Sequence, residues 1–220
     1  MKGRNIFLII GLIVLADQAL KIYVKTHFYI EESYGVAGHW FKLYFIENEG
    51  MAYGWKFGGQ WGKILLTVFR LAAVIFGVFY IKKIIVKKFH PGFIICVALI
   101  FAGALGNLLD SMFYGLIFEH SSTLTSNIAK IFPVNGYAGF LHGKVVDMFY
   151  FPIIKVDSMP GWIPFLGGKP FTFFNYIFNL ADMAISIGVI AILLFNKHFF
   201  KPVGSEKTLL NADTMPLVNN

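Results

Sequence analysis

The chain has 220 residues, 57% of them apolar and only 14% charged, with a formal net charge of +7 at pH 7. A soluble domain carries about 25% charged residues, so this composition excludes an ordinary water-soluble monomer and points to an integral membrane protein. The lysine excess then reports on which side of a bilayer the loops lie, and no nucleic-acid partner is expected.

Four segments are long and apolar enough to span. The first runs from about 5 to 24, with Asp17 and Lys21 near its far end. Lys2 and Arg4 ahead of it, with Val14-Leu15-Ala16 behind, also fit a cleaved leader. The apolar pattern continues through Ala19, Leu20, Ile22 and Val24, which favours a retained helix. The first connecting loop, 27–61, contains an aromatic stretch from Trp40 to Ile46 that predicts a strand, and Tyr53, Trp55 and Trp61 suit an interfacial belt. The second span is 64–81, with Arg70 as its one charge, and the third is 92–109, with none. The second long loop, 112–170, carries the polar stretch Ser121 to Ser126 and the turn signal Phe132-Pro133-Val134-Asn135-Gly136. The fourth span is 171–195, with Asp182 as its one charge. Residues 1–203 read as one membrane-embedded domain and 204–220 as a polar, disordered tail. The expected fold is therefore all-α in the membrane, with four transmembrane helices and a small extracytoplasmic β-containing element.

Lys2 and Arg4, the cluster Lys82, Lys83, Lys87 and Lys88, and Lys197 and Lys201 mark the cytoplasmic side. Both termini are then cytoplasmic, and both long loops face outward. The lysine cluster also suits contact with membrane lipids of anionic headgroup.

Ionisable groups at membrane depth are expensive and functional by default. Asp17 is expected toward the outer end of helix one and Asp110 at the outer end of helix three. Asp182 is expected a third of the way down helix four. Asp147, alone in the apolar run Lys144 to Phe151, is expected at the interface just before that helix. All four acids then converge on one depth. Asp17 and Lys21 stand i, i+4 and suit a structural ion pair as well as direct chemistry. Asp110, beside Asn107 and Ser111, suits a structural hydrogen-bonding role equally. Asp147 and Asp182, each the sole acid in an apolar setting, form the natural pair. Two close buried carboxylates share one proton, so one acts as base on a water and the other polarises a carbonyl. The six histidines (His27, His39, His90, His120, His142, His198) have no metal-ligand spacing, and Cys96 is the single cysteine. No metal or organic cofactor is expected. A proton- or cation-coupled carrier using the same acids is the alternative, but relay acids would be spread through the bilayer. A scaffold leaves Asp182 unexplained.

The motifs resemble those of bacterial lipoprotein signal peptidases, signal peptidase II, over about residues 5–196. Asp17-Gln18-Ala19-Leu20-Lys21 resembles D-x-x-x-K, and Asn48-Glu49-Gly50-Met51-Ala52-Tyr53-Gly54 resembles N-x-G-x-A-[FW]-[GS]. Gly103-Ala104-Leu105-Gly106-Asn107-Leu108-Leu109-Asp110 resembles G-x-x-G-N-x-x-D-R without its arginine. Val145-Val146-Asp147-Met148 and Phe178-Asn179-Leu180-Ala181-Asp182 resemble V-V-D-F and F-N-x-A-D. The resemblance implies a membrane aspartic endopeptidase of the bacterial cytoplasmic (inner) membrane, working at its outer face. Its substrates would be diacylglyceryl prolipoproteins, cut before the modified cysteine. Asp147 and Asp182 would be catalytic. Asn48, Gly50, Gly103, Asn107, Asn179 and Ala181 would line the pocket, with Asp17, Lys21 and Asp110 in support. Ser111 stands where the family usually carries arginine, so the guanidinium's role is either lost or supplied by another residue, with Lys130, Lys144 and Lys155 as candidates. Additions at about 115–143 and 152–170 are expected to enlarge the extracytoplasmic cap, closing over substrate.

Overall fold

A computed structural model describes residues 3–49, 59–123, 128–165 and 167–200. Gly50, Tyr53, Trp55, residues 124–126 of the 121–126 stretch and the 204–220 tail lie outside the described residues.

Backbone groups in hydrocarbon find no water, so a spanning segment must close its own hydrogen bonds. The apolar segments accordingly form four helices: α1 (Gly3–His27), α2 (Gly59–Val86), α3 (Pro91–Ile117) and α4 (Leu180–Phe199). Each is long and apolar enough to cross a membrane. The start of α3 is set locally. Pro91 needs no hydrogen-bond partner for its nitrogen, and His90 Nδ1 accepts from the Gly92 N–H at 3.1 Å. Ile6 and Ile10 of α1, Ile81 and Ile84 of α2, and Phe93, Ile94, Ala98 and Ala102 of α3 pack into one cluster, which Ile192 and Phe199 of α4 join. That cluster collects the start of α1, the end of α2, the start of α3 and the end of α4, so the helices alternate in direction. Leu12, Leu15, Phe69, Phe76 and Leu193 are about two-thirds exposed on the outside of the bundle, where lipid solvates them.

At the opposite end lies an antiparallel sheet. β1 (Ser33–Ala37), β2 (Phe41–Asn48), β3 (Val145–Tyr150) and a short β6 (Ile177–Phe178) pair in that order. β4 (Ile154–Val156) and β5 (Phe171–Phe173) form a separate two-stranded ribbon. The strand expected over 40–46 is β2. Phe45, Val146 and Met148 pack with Val24, Phe28, Tyr114 and Phe118, which fastens the sheet to the ends of α1 and α3. Side chains alternate along a strand, so seating Val146 and Met148 on that core turns Asp147 to the other face.

Three helices depart most from the sequence expectation. α2 is longer at both ends, Gly59–Val86 against 64–81. α3 runs on to Ile117 instead of ending near 109, so Asp110 lies inside the helix and not at its end. Its last turns continue because the following chain satisfies their carbonyls. The N–H groups of Gly143, Leu141, Ala138 and Tyr137 donate to the oxygens of Ser111, Met112, Gly115 and Phe118 at 2.9–3.2 Å. A Cβ on Gly143 would lie 2.0 Å from the Asp110 carbonyl oxygen, so only glycine permits this approach. The 115–143 addition is thus part helix and part strap along the outer end of α3. α4 begins at Leu180 and not at 171, because Phe171–Phe173 and Ile177–Phe178 are strands. Composition alone does not separate a buried strand from the start of a helix. Asp182 therefore sits in the first turn of α4, not a third of the way down it.

Candidate active site

Two acids reach the site by different routes. Asp147 is carried by the central strand β3, where its neighbour across β2 is Ile46, with Asn48 opposite Val145. Asp182 is carried by the first turn of α4. Asn179 caps that helix: its Oδ1 accepts from the Asp182 N–H at 2.9 Å. The same side chain then ties the two acids together, because its Nδ2 donates to Asp147 Oδ1 at 2.6 Å. Asn48 Nδ2 donates to Asp147 Oδ2 at 3.3 Å. Asn107, from α3, donates through Nδ2 to Asp182 Oδ1 at 2.8 Å. Its Oδ1 accepts from Asn179 Nδ2 at 3.2 Å and from Lys21 Nζ at 2.9 Å.

Beneath this layer is a buried charge cluster. Lys21 Nζ lies 2.9 Å from Asp17 Oδ2 and 2.7 Å from Asp110 Oδ2, with all three side chains sealed from solvent. The cation is thus shared by two carboxylates while it also holds the Asn107 oxygen. Asp17 Oδ1 accepts from the Ala181 N–H at 2.9 Å, which fixes α1 to the open N-terminus of α4. Gln18 Nε2 donates to Asp110 Oδ1 at 2.8 Å and to Asp17 Oδ2 at 3.2 Å, and Tyr114 donates to Gln18 Oε1 at 3.1 Å. The i, i+4 ion pair read from the sequence is present, and it is one edge of a three-helix network.

The small residues serve close approach. A Cβ on Gly103 would lie 2.2 Å from the Ala181 carbonyl oxygen, and one on Gly106 would lie 2.7 Å from Asp17 Oδ2. Gly103 and Ala181 therefore lie at the seam where α3 and α4 touch. Of the residues singled out from the sequence, Asp17, Lys21, Asn48, Gly103, Asn107, Asp110, Asp147, Asn179, Ala181 and Asp182 all belong to this one region.

Electrostatics separate Asp147 from an ordinary carboxyl. It is 2% exposed. Burial, and then the negative charge of Asp182, push its pKa up from 3.8 to about 7, against the opposing pull of Lys21, Asn48 and Asn179. Such a group exchanges a proton near neutral pH.

Two features were not legible in the sequence. Arg70, the one charge of the second span, lies nearer mid-membrane by its position in α2. Its guanidinium instead reaches Ser111, donating to Oγ at 3.0 Å, and the acids whose field it feels are Asp182, Asp110 and Asp147. A long side chain carries its charge well away from its own Cα, so helix position misjudges depth. Lys144 lies 3.5 Å from Glu47, and Lys130 and Lys155 are exposed, so the candidate lysine substitutes are placed elsewhere. The second feature is a cluster around Glu47. Lys25 pairs with Glu47, donates to Ser121 Oγ at 2.8 Å, and sits over the Phe118 and Tyr137 rings. Burial alone would raise the Glu47 carboxyl, but Lys25, Ser121 and Lys144 hold it below the usual carboxylate range. This pins β2, and with it Asn48, to α1.

The model of the family described as Signal peptidase (SPase) II matches residues 9–198. A lipoprotein signal peptidase of Porphyromonas gingivalis is 43% identical over 195 residues, covering 88% of this chain and 83% of that protein. One from Amoebophilus asiaticus is 33% identical over 186 residues, covering 83% of this chain and 73% of that protein. A solved structure described as a bacterial membrane enzyme aligns with a TM-score of 0.56 at 25% identity, covering 91% of this chain and 93% of that one.

Proposed function

The chain belongs to the signal peptidase II family, and we propose from that membership that it removes signal peptides from prolipoproteins, with Asp147 and Asp182 as its catalytic pair. It is a membrane peptidase, working at the outer face of the bacterial inner membrane with both termini cytoplasmic. Its substrates carry a diacylglyceryl cysteine, and the lipid part stays in the bilayer while the peptide reaches the dyad. The observation that carries the dyad is the hydrogen-bonded chain Asp147–Asn179–Asn107–Asp182, with Asp147 titrating at about 7.

The pair holds one proton at rest. The ionised member takes a proton from a water between the two carboxyls, and the water oxygen attacks the scissile carbonyl carbon. The protonated member gives its proton to the carbonyl oxygen as the tetrahedral diol forms. Collapse of the diol breaks the C–N bond. The proton removed from water goes to the departing amine, and the diol proton returns to the pair, which ends as it began. Asn179 and Asn107 hold the carboxyls in register, and Lys21 fixes the rotamer of Asn107. Arg70, hydrogen-bonded to Ser111, supplies at this site the guanidinium that the motif G-x-x-G-N-x-x-D-R carries where Ser111 stands.

The test uses purified protein and a synthetic diacylglyceryl prolipoprotein, following release of the signal peptide by wild type, Asp147→Asn and Asp182→Asn. Both folded variants should be inactive. Near-full activity in either would remove that residue from the pair.

A further inference from the structure

We propose that the β4–β5 ribbon, within 152–178, is an interfacial anchor that lies with its apolar face in the outer leaflet of the bilayer. The register makes the ribbon amphipathic. Ile154 pairs with Phe173 and Val156 with Phe171, while Lys155 pairs with Thr172 between them. Side chains alternate along a strand, so two apolar pairs share one face and the lysine–threonine pair takes the other. One end of that face lies open, with Ile154 54% and Phe173 53% exposed, while Val156 and Phe171 are half-buried. The connection between the strands carries Trp162 at 83% and Phe165 at 94% exposure. No described residue from 151 to 178 is buried. A lone two-stranded ribbon with no core is marginal in water, and an exposed apolar patch marks a contact surface.

The chain path decides what covers it. The ribbon leaves β3 directly after the strand that carries Asp147, and it returns through β6 into α4, a membrane-spanning helix, at Leu180. Leu180 is seven steps along the chain from Phe173, so the ribbon is tethered within about 25 Å of the point where that helix enters the bilayer. The ribbon is therefore within reach of the headgroup level at which α4 enters the bilayer. Aromatic side chains with a nearby lysine are the composition that settles at the headgroup level. Anchored at both ends next to Asp147 and Asp182, the ribbon sets the height of the acid pair relative to the leaflet. This inference rests on the orientation proposed above but not on the catalytic assignment.

The experiment keeps Trp162 as the sole tryptophan (Trp40, Trp55 and Trp61 replaced by Phe) in the full chain, reconstituted into bilayers with and without lipids brominated on the acyl chain. Helix content by circular dichroism verifies folding. Trp162 emission should be blue-shifted and quenched by the bromolipid, and Ile154→Glu with Phe173→Glu should abolish both effects in a folded protein. Water-like, unquenched emission overturns the proposal. Protection that appears only on adding prolipoprotein assigns the face to substrate, and protection that depends on protein density assigns it to a second copy. Either result also overturns it.

Discussion

Asp147→Asn should stabilise the fold at neutral and alkaline pH even as it removes activity. The Asp147 carboxyl titrates at about 7 in the folded chain against 3.8 for the ordinary group. A raised carboxyl pKa contributes stability that is complete below the unfolded value and is lost as pH rises through the folded one. Between about pH 4 and pH 7 the unfolded chain has released a proton that the native state still binds. At 1.36 kcal/mol per unit, the cost of the ionised buried carboxylate reaches about 4 kcal/mol above pH 7. Asparagine has no such cost. Its oxygen keeps the bond from Asn179, and its amide nitrogen meets Asn48, whose own amide turns over to accept. The assay is the thermal unfolding midpoint in detergent from pH 4 to pH 8. The variant and wild type should coincide near pH 4 and diverge steadily, with the variant about 10 °C higher at pH 8 for a chain of this size. Parallel profiles across that range would refute the premise that Asp147 is buried beside a second negative charge.

Lys21→Met removes the cation from two buried carboxylates while roughly keeping side-chain volume. Leaving buried charge uncompensated costs about 3–5 kcal/mol, so the variant should unfold at markedly lower temperature and lose the Asn107 rotamer along with activity. Gly103→Ala drives a methyl group to 2.2 Å from the Ala181 carbonyl, so α3 and α4 must part and both melting temperature and turnover should fall; an unchanged protein would contradict the seam. Arg70→Gln should lower kcat/KM by about tenfold or more, and adding Ser111→Arg should restore part of it, because Arg70 ends at the Ser111 hydroxyl. If the double variant is no better than the single one, the guanidinium is not interchangeable between the two helices. Glu47→Gln should cost stability most at neutral pH. The depressed Glu47 carboxyl contributes stability above its unfolded pKa, lost as pH falls through the folded value; guanidine midpoints at pH 4 and pH 7 would show the gap between variant and wild type closing.

Much of this protein is written in local pattern. The long apolar segments must become helices in hydrocarbon, since nothing else satisfies the backbone of a single crossing segment there. Acids are too costly at that depth to be incidental, which is why Asp147 and Asp182 stood out before any geometry. Helix ends are another matter. Phe171 to Phe178 is as apolar as a helix start, and only pairing with β4 and β3 makes it strand. α3 outruns its expected end because a strap distant in sequence caps its carbonyls. The wiring of the site is likewise tertiary. Asn179 links Asp147 to a helix N-terminus, Lys21 is shared by acids from two helices, and Arg70 meets Ser111 across the bundle. Spacing along a chain decides which residues share one helix face. Which side chains from different elements come within three ångströms depends on packing, and on glycines such as Gly103 and Gly143 that let backbones touch.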